Sequence, residues 1–134
     1  MGFCLRFIGI FACALVFAGV MRFFGTVALA EDADLIKAGS KAFGACRACH
    51  IVDPDADSGL GPNLWDTFGN TSAHRDDFAY SDAMKKAKIT WNDETLDKWL
   101  TSPKTFLPGT KMAYIGMAKP EDRKALIAFL KTKK

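Results

Sequence analysis

The 134-residue chain is nearly balanced in charge, with a formal net charge of +3, and 49% of its residues are hydrophobic. This length fits a single domain. The chain lacks the strongly basic stripe of a nucleic-acid-binding protein, and we exclude that class. No internal repeat or low-complexity tract follows Ala30.

Residues 1–30 differ in composition from the rest. They hold two basic residues, no Asp or Glu, a 15-residue apolar run from Phe7 to Met21, and an A-x-A site that ends at Ala30. These features predict an export signal cleaved after Ala30, with residues 31–134 as one domain in the bacterial periplasm. An uncleaved anchor is the alternative, because Phe23–Ala30 can extend the run toward the about 20 residues that span a bilayer.

Helical patterns mark both ends of the exported part. Asp32 or Asp34 can cap a first helix, whose apolar face would contain Leu35, Ala38, Ala42 and Phe43. Near the C-terminus, Pro120 and the acids after it predict the first turn of a last helix that closes near Lys131. Its apolar stripe is Leu126, Ile127, Phe129 and Leu130.

Two shorter helices are predicted between these ends. Ser81 can cap a helix over Asp82–Ala87, and another begins at Thr90, Asn92 or Asp93 and ends at Ser102. No segment alternates apolar and polar residues, so the predicted fold class is all-α. The remaining stretches read as long loops, which suit a small domain if they wrap a large group that replaces core: Ile51–Asn63, Gly69–Tyr80 and Pro103–Lys119.

The segment Cys46-Arg47-Ala48-Cys49-His50 is a C-x-x-C-H motif, the signature of covalent haem attachment. Two thiols add to the two vinyl groups of the macrocycle, and the adjacent imidazole reaches the iron as an axial ligand. We therefore predict one haem c. A thioredoxin-like dithiol, a structural disulfide and a zinc site that adds His74 are the alternatives.

The second axial ligand is predicted from the segment Pro108-Gly109-Thr110-Lys111-Met112. A thioether is a soft, neutral donor that favours ferrous iron and raises the potential. Met84 and Met117 are alternative donors. Met112 is favoured because its Pro-Gly setting can deliver a side chain across a flat ring.

The chain resembles the class I c-type cytochromes of mitochondria and the alphaproteobacterial periplasm. The resemblance covers almost all of Leu35–Lys131 and implies a cytochrome c-like fold, with crossing N- and C-terminal helices and long loops around one haem. The matching segments, in family order, are C-R-A-C-H, G-P-N-L-W, F-A-Y-S-D-A-M, I-T-W, L-D-K-W-L, P-G-T-K-M and D-R-K-A-L-I-A-F-L.

The resemblance also implies residue roles. Cys46 and Cys49 bind the haem, while His50 and Met112 ligate the iron. The Pro62 carbonyl orients His50, Tyr80 and Trp91 hydrogen-bond a haem propionate, Thr110 lies over the haem near Met112, and Gly39 lets the first helix cross the last against Phe129.

Three positions depart from the family pattern. Asn70 stands where Arg is usual, so a cation near the propionates is missing or comes from His74 or Arg75. Trp99 replaces a common Tyr, and Tyr114 replaces a familiar Phe.

The implied function is that of a monomeric single-electron carrier and not an enzyme, with a cytochrome bc complex as donor and an oxidase, reaction centre or reductase as acceptor. Transient electrostatic docking would use a basic rim of Lys104, Lys111 and Lys119, which acidic residues would weaken if they share its face: Asp53, Asp55 and Asp57. A haem protein that binds gas or peroxide, with a weak or absent Met ligand, is the alternative.

Overall fold

The computed structural model of the chain describes residues 32–134, so the expected export signal lies outside the described residues. Within that range the chain is helical, and its only bridge between extended segments is an isolated antiparallel one, Thr71 with Thr90. None of the described helices is both long enough and apolar enough to cross a bilayer. The helices are α1 (32–42), α2 (Asp82–Ala87), α3 (Asp93–Thr101), α4 (Pro103–Phe106) and α5 (Pro120–Lys131).

Side-chain caps fix where two of the predicted helices begin. The Ser81 hydroxyl accepts a hydrogen bond from the Met84 N–H at 3.1 Å and starts α2. Asn92 starts α3, because its side chain accepts from the Thr95 N–H at 3.0 Å while its own N–H donates to the Thr95 hydroxyl at 2.9 Å. Pro120 opens α5 as predicted.

Three expectations about local structure were wrong. The stretch from Pro103 was expected to be irregular, but α4 occupies its start, because Pro103 lies at the first helical position, where its fixed φ suits a helix. Ala38 was placed on the apolar face of α1 but is exposed, whereas Ile36 packs against the core. The helix also ends earlier than the apolar pattern does, and Phe43 lies in a 3₁₀ turn, Phe43–Ala45.

The core is built mainly from α3 and α5, and α1 crosses α5 at its edge. A Cβ atom on Gly39 would overlap the Ala125 carbonyl and lie 2.7 Å from the Cβ atom of Phe129, so only glycine permits this approach. Next to the crossing, the rings of Phe43 and Phe129 pack with centroids 5.5 Å apart. These contacts support the cytochrome c-like helix arrangement that the resemblance implied.

A buried arginine joins α5 to α3 and to the loop before α5. Arg123 is 8% exposed. Its Nε donates to Oδ1 of Asp97 at 2.7 Å, and its Nη1 donates to the carbonyls of Met117 at 2.9 Å and Ala118 at 3.0 Å. The guanidinium therefore holds one end of the loop that carries Met112.

Candidate functional site

The described part of the chain encloses a cavity of about 460 Å³. Aromatic and aliphatic side chains supply most of its wall, among them Trp91, Trp99, Leu100 and Leu126. All the cofactor-binding residues predicted from the sequence line this one cavity, although they come from separate segments: Cys46, Cys49, His50, Pro62, Tyr80, Trp91, Thr110 and Met112.

The C-x-x-C-H motif forms one wall through a tight turn. The backbone N–H groups of Cys49 and His50 both donate to the Cys46 carbonyl, at 3.1 and 2.9 Å. Both thiols are free, with Cys46 partly buried and Cys49 exposed. Burial, with a smaller effect of Cys49, raises the pKa of Cys46. The turn therefore presents two thiols and an imidazole from a single short segment.

The ring of His50 is oriented by the loop that follows the motif. Its Nδ1 lies 2.7 Å from the Pro62 carbonyl, which can only accept, so Nδ1 carries the proton and Nε2 is left as a donor to a metal. Burial lowers the pKa of His50 more than this hydrogen bond raises it, which favours the neutral ring that a metal requires. A Cβ on Gly61 would lie 2.5 Å from Cε1 of His50, so the loop can approach the ring only at a glycine.

Asn63 holds this loop in place and was not predicted as a site residue. It is completely buried. Its Nδ2 donates to the carbonyls of Asp53 and Ala56, both at 2.7 Å, and its Oδ1 accepts from the Trp65 N–H at 2.9 Å. The sequence offered one signal for this role, which is that Asn63 directly follows Pro62. A long loop needs internal hydrogen bonds if it is to hold the Pro62 carbonyl in one position.

Met112 reaches the cavity from a second loop. The Thr110 N–H donates to the Leu107 carbonyl at 3.2 Å, and the Met112 N–H donates to the Thr110 hydroxyl at 3.2 Å. Gly109 has a φ of 89°, which favours glycine in this turn. Met84 also lines the cavity. Met117 packs against the core, where its N–H donates to the Leu100 carbonyl at 2.7 Å.

Two buried polar atoms test whether this cavity suits a haem. The hydroxyl of Thr67 and Nε2 of His74 have no hydrogen-bond partner within residues 32–134, and both residues line the cavity. Buried polar groups in proteins are normally paired. A flat, mainly apolar macrocycle with carboxylate groups supplies both the apolar surface and the missing acceptors, so the residues fit this cofactor.

The zinc alternative has no comparable geometry. Over residues 32–134, no three His, Cys, Asp or Glu side chains form a group that could hold a metal ion. His74 therefore does not complete a Cys₂His₂ set with the motif.

Comparison with known proteins agrees with this geometry. A family model described as Cytochrome c matches residues 36–134. The chain is 46% identical over 94 residues to a cytochrome c2 of Rhodomicrobium vannielii, covering 70% of this chain and 75% of the relative. It is also 46% identical over 94 residues to a cytochrome c of Ulva intestinalis, covering 69% and 85%.

The fold of the chain is also similar to that of a solved cytochrome structure. Cytochrome cH from Methylobacterium extorquens superposes with a TM-score of 0.68 at 42% identity, over 72% of this chain and 97% of that one. Proteins of this kind carry one covalently bound haem c and transfer electrons. The chain belongs to the cytochrome c family.

Proposed function

We propose that this electron carrier works in the periplasm with its haem attached through Cys46 and Cys49 and its iron ligated by His50 and Met112. One observation carries the proposal. These four residues line the same cavity, and the Pro62 carbonyl fixes the tautomer of His50 that can ligate iron.

The chain's own residues keep the site unchanged while the charge of the iron changes. The haem supplies reversible one-electron chemistry. Nδ1 of His50 stays hydrogen-bonded to Pro62, and the Met112 loop stays anchored through Arg123. A neutral imidazole and a neutral thioether favour ferrous iron and raise the potential.

Tyr80 and Trp91 are the proposed donors to haem propionates, and Thr110 lies over the haem near Met112. Burial raises the pKa of Tyr80, so its hydroxyl keeps the proton that it would donate. Trp91 is 6% exposed, and its indole N–H can only donate. Both residues lie on the cavity wall.

The proposed partners are a cytochrome bc complex as donor and an oxidase, reaction centre or reductase as acceptor. Lys104, Lys111 and Lys119 are all exposed and available to an acidic partner face. We propose that the chain is a monomer that docks transiently, because long-range charge attraction speeds association more than it strengthens binding.

Three methionine variants of the exported holoprotein test the ligand assignment. Met112→Leu should abolish the methionine–iron charge-transfer band of the ferric spectrum, admit carbon monoxide and lower the reduction potential. Met84→Leu and Met117→Leu are matched controls and should keep the band. Intact mass must also show haem that acid–acetone does not extract. A wild-type protein without the band that binds carbon monoxide quickly would instead be a gas-binding haem protein.

A further inference from the structure

Two long segments that line the cavity carry opposite charges. Residues 51–80 contain six Asp and one Arg, whereas residues 103–120 contain three Lys and no acidic residue. The exported part as a whole is nearly neutral, so these segments, and not the net charge, determine the electric field around the cavity. A surface divided in this way offers both halves of an ion-pairing interface.

One short stretch of chain places these charges next to each other. On one side, the Ser58 N–H, directly after the exposed Asp57, donates to Oδ2 of Asp77 at 2.8 Å. On the other side, Nζ of Lys111 donates one of its three hydrogens to the Ala79 carbonyl at 3.2 Å. Asp77 and Ala79 are two residues apart, so at most about 7 Å of chain separates the two contacts. Asp57 and Lys111 therefore belong to one stretch of surface.

Leu60 adds an exposed apolar group to this surface. It is 84% exposed, and it also lines the cavity, as does the exposed Lys111. A residue that is exposed and also on the cavity wall lies where the cavity reaches the surface. Leu60 follows Asp57 by three residues, so an acidic, an apolar and a basic side chain lie together where the cavity opens. Protein interfaces combine an apolar centre with a polar rim in the same way.

This surface is complementary to itself. A two-fold rotation places the acidic half of one copy against the basic half of another, and the same contact then occurs a second time in the opposite direction. Resting on the proposed function, we propose that two copies of this chain dock transiently through this surface, with Asp57 of each copy near Lys111 of the other, and exchange one electron.

The exchange is balanced within the pair. One electron leaves Fe(II) of one copy and reduces Fe(III) of the other, with no bond formed or broken and no proton moved. Electrons then pass from copy to copy without waiting for one carrier to diffuse from its donor to its acceptor.

The salt dependence of this self-exchange tests the charge pairing. In mixtures of ferrous and ferric holoprotein, NMR line broadening measures the exchange rate. Between molecules that meet only through their equal net charges, salt screens repulsion, so the rate stays constant or rises. Docking through opposite halves should instead make the rate fall severalfold between about 10 mM and about 0.2 M ionic strength. A constant or rising rate would overturn the inference.

Charge-reversal variants make the test specific to two residues. Asp57→Lys and Lys111→Glu should each slow exchange between identical copies at low salt by about tenfold, because each places like charges together in both contacts. Exchange between the two different variants should return to near the wild-type rate, because both contacts then join opposite charges. Labelling one variant with nitrogen-15 allows its lines alone to be followed.

Asp34→Lys and Lys37→Glu are the matched controls. Both residues are exposed on α1, none of whose residues lines the cavity, and neither variant should slow exchange between identical copies. Ferric protein alone gives a readout that needs no electron transfer, because the amide signal of Leu60 should shift with protein concentration at low salt. This shift should be lost in Asp57→Lys and kept in the controls.

Three results would overturn the inference: a mixed pair of variants that exchanges as slowly as the identical pairs, equal losses in the controls, or an amide signal of Leu60 that ignores concentration. A chain that carries no covalent haem would instead overturn the proposed function.

Discussion

Gly61 is in contact with the imidazole that we propose as the iron ligand. In Gly61→Ala, the new Cβ would lie 2.5 Å from Cε1 and 2.8 Å from Nδ1 of His50, so the ring or the loop must shift. We expect a loss of about 1–3 kcal/mol in the free energy of unfolding, as for other overpacked sites. The hydrogen bond to Pro62 should weaken, and the ferric spectrum should change. Denaturant titration of the holoprotein and its absorption spectrum measure both effects.

Gly59 provides the control for this substitution. A Cβ there would meet no atom within 4 Å. Gly59→Ala should therefore leave the spectrum unchanged and the stability close to that of the wild type. Equal effects of the two substitutions would mean that contact with His50 is not what requires glycine at position 61.

Among single residues, the sequence predicted those whose chemistry depends on their spacing along the chain. The C-x-x-C-H motif could be read directly, because one short turn presents all its reactive groups. The roles of Asn63 and Arg123 were not predicted. Each side chain donates to backbone carbonyls of a loop, and the sequence does not show which carbonyls the fold brings near it. Such contacts exist only after folding, and a lone Asn or Arg carries no periodic signal.

Among the helices, Arg123 is the clearest test of how elements are held together. Arg123→Met removes three hydrogen bonds and leaves Asp97, whose side chain is 45% exposed, without its buried partner. We expect a loss of about 2–3 kcal/mol in the free energy of unfolding. The loop that carries Met112 should loosen, so carbon monoxide should bind faster.

Lys98→Met serves as the matched control, because Lys98 pairs with Glu94 on the exposed surface of α3 at 2.6 Å. Exposed pairs of this kind contribute little to the free energy of unfolding, because water and salt screen them. Chemical denaturation of both variants measures the difference. An equal loss of stability in the two variants would contradict the role of Arg123 in joining α5 to α3 and to the Met112 loop.

Asp77 joins the loop before Pro62 to the loop before Tyr80, and other residues of both loops line the cavity. Its Oδ2 accepts from the Ser58 N–H at 2.8 Å, and the carboxylate pairs with Arg75. Arg75 and the Ser58 N–H hold the pKa of Asp77 far below its usual range. A carboxylate with a lowered pKa stabilises the fold above about pH 4, its ordinary pKa, and loses that effect as pH falls toward the folded value.

Asp77→Asn should therefore be less stable than the wild type at pH 7, and the difference should shrink steadily below about pH 4. Asp76→Asn, at the exposed neighbouring position, is the control. Denaturant midpoints measured from pH 3 to pH 7 test this. A difference that stays constant over that range would show that the lost hydrogen bonds, and not the charge, matter.

Helix prediction succeeded where capping residues and periodicity agreed and failed where tertiary contact decided. Ser81, Asn92 and Pro120 marked helix starts that the structure contains. The buried face of α1 was partly misassigned, because Gly39 meets α5 and rotates the helix so that Ile36 faces the core and Ala38 does not. A glycine at a helix crossing carries no hydrophobic signal.

For the molecule as a whole, docking should depend on ionic strength. The full chain carries a formal charge of +3, which falls to +1 without Arg6 and Arg22, so a local basic rim and not the net charge must attract an acidic partner. We expect the rate of oxidation by a membrane oxidase to fall as the salt concentration rises. At 0.1 M ionic strength the Debye length is about 10 Å, so the attraction between the docking surfaces is already strongly screened at longer distances.

Lys111→Gln should reduce this rate severalfold at low salt and little at high salt, because Lys111 is exposed and also lines the cavity. Lys37→Gln, on the exposed surface of α1, is the matched control. A rate that ignores salt, or equal losses in the two variants, would contradict steering by the rim.

The position of Arg123 in the last helix also bears on how the molecule matures. The C-x-x-C-H motif and the loop that contains Pro62 both lie before residue 66. The hydrogen bonds that hold the Met112 loop come from Arg123, which lies in α5. A polypeptide truncated before Pro120 would keep Cys46, Cys49 and His50, yet would lack the hydrogen bonds from Arg123 that hold the Met112 loop. If Met112 is the second iron ligand, as we propose, attachment of the haem and formation of the second axial bond would be separable stages, and the second would wait for α5.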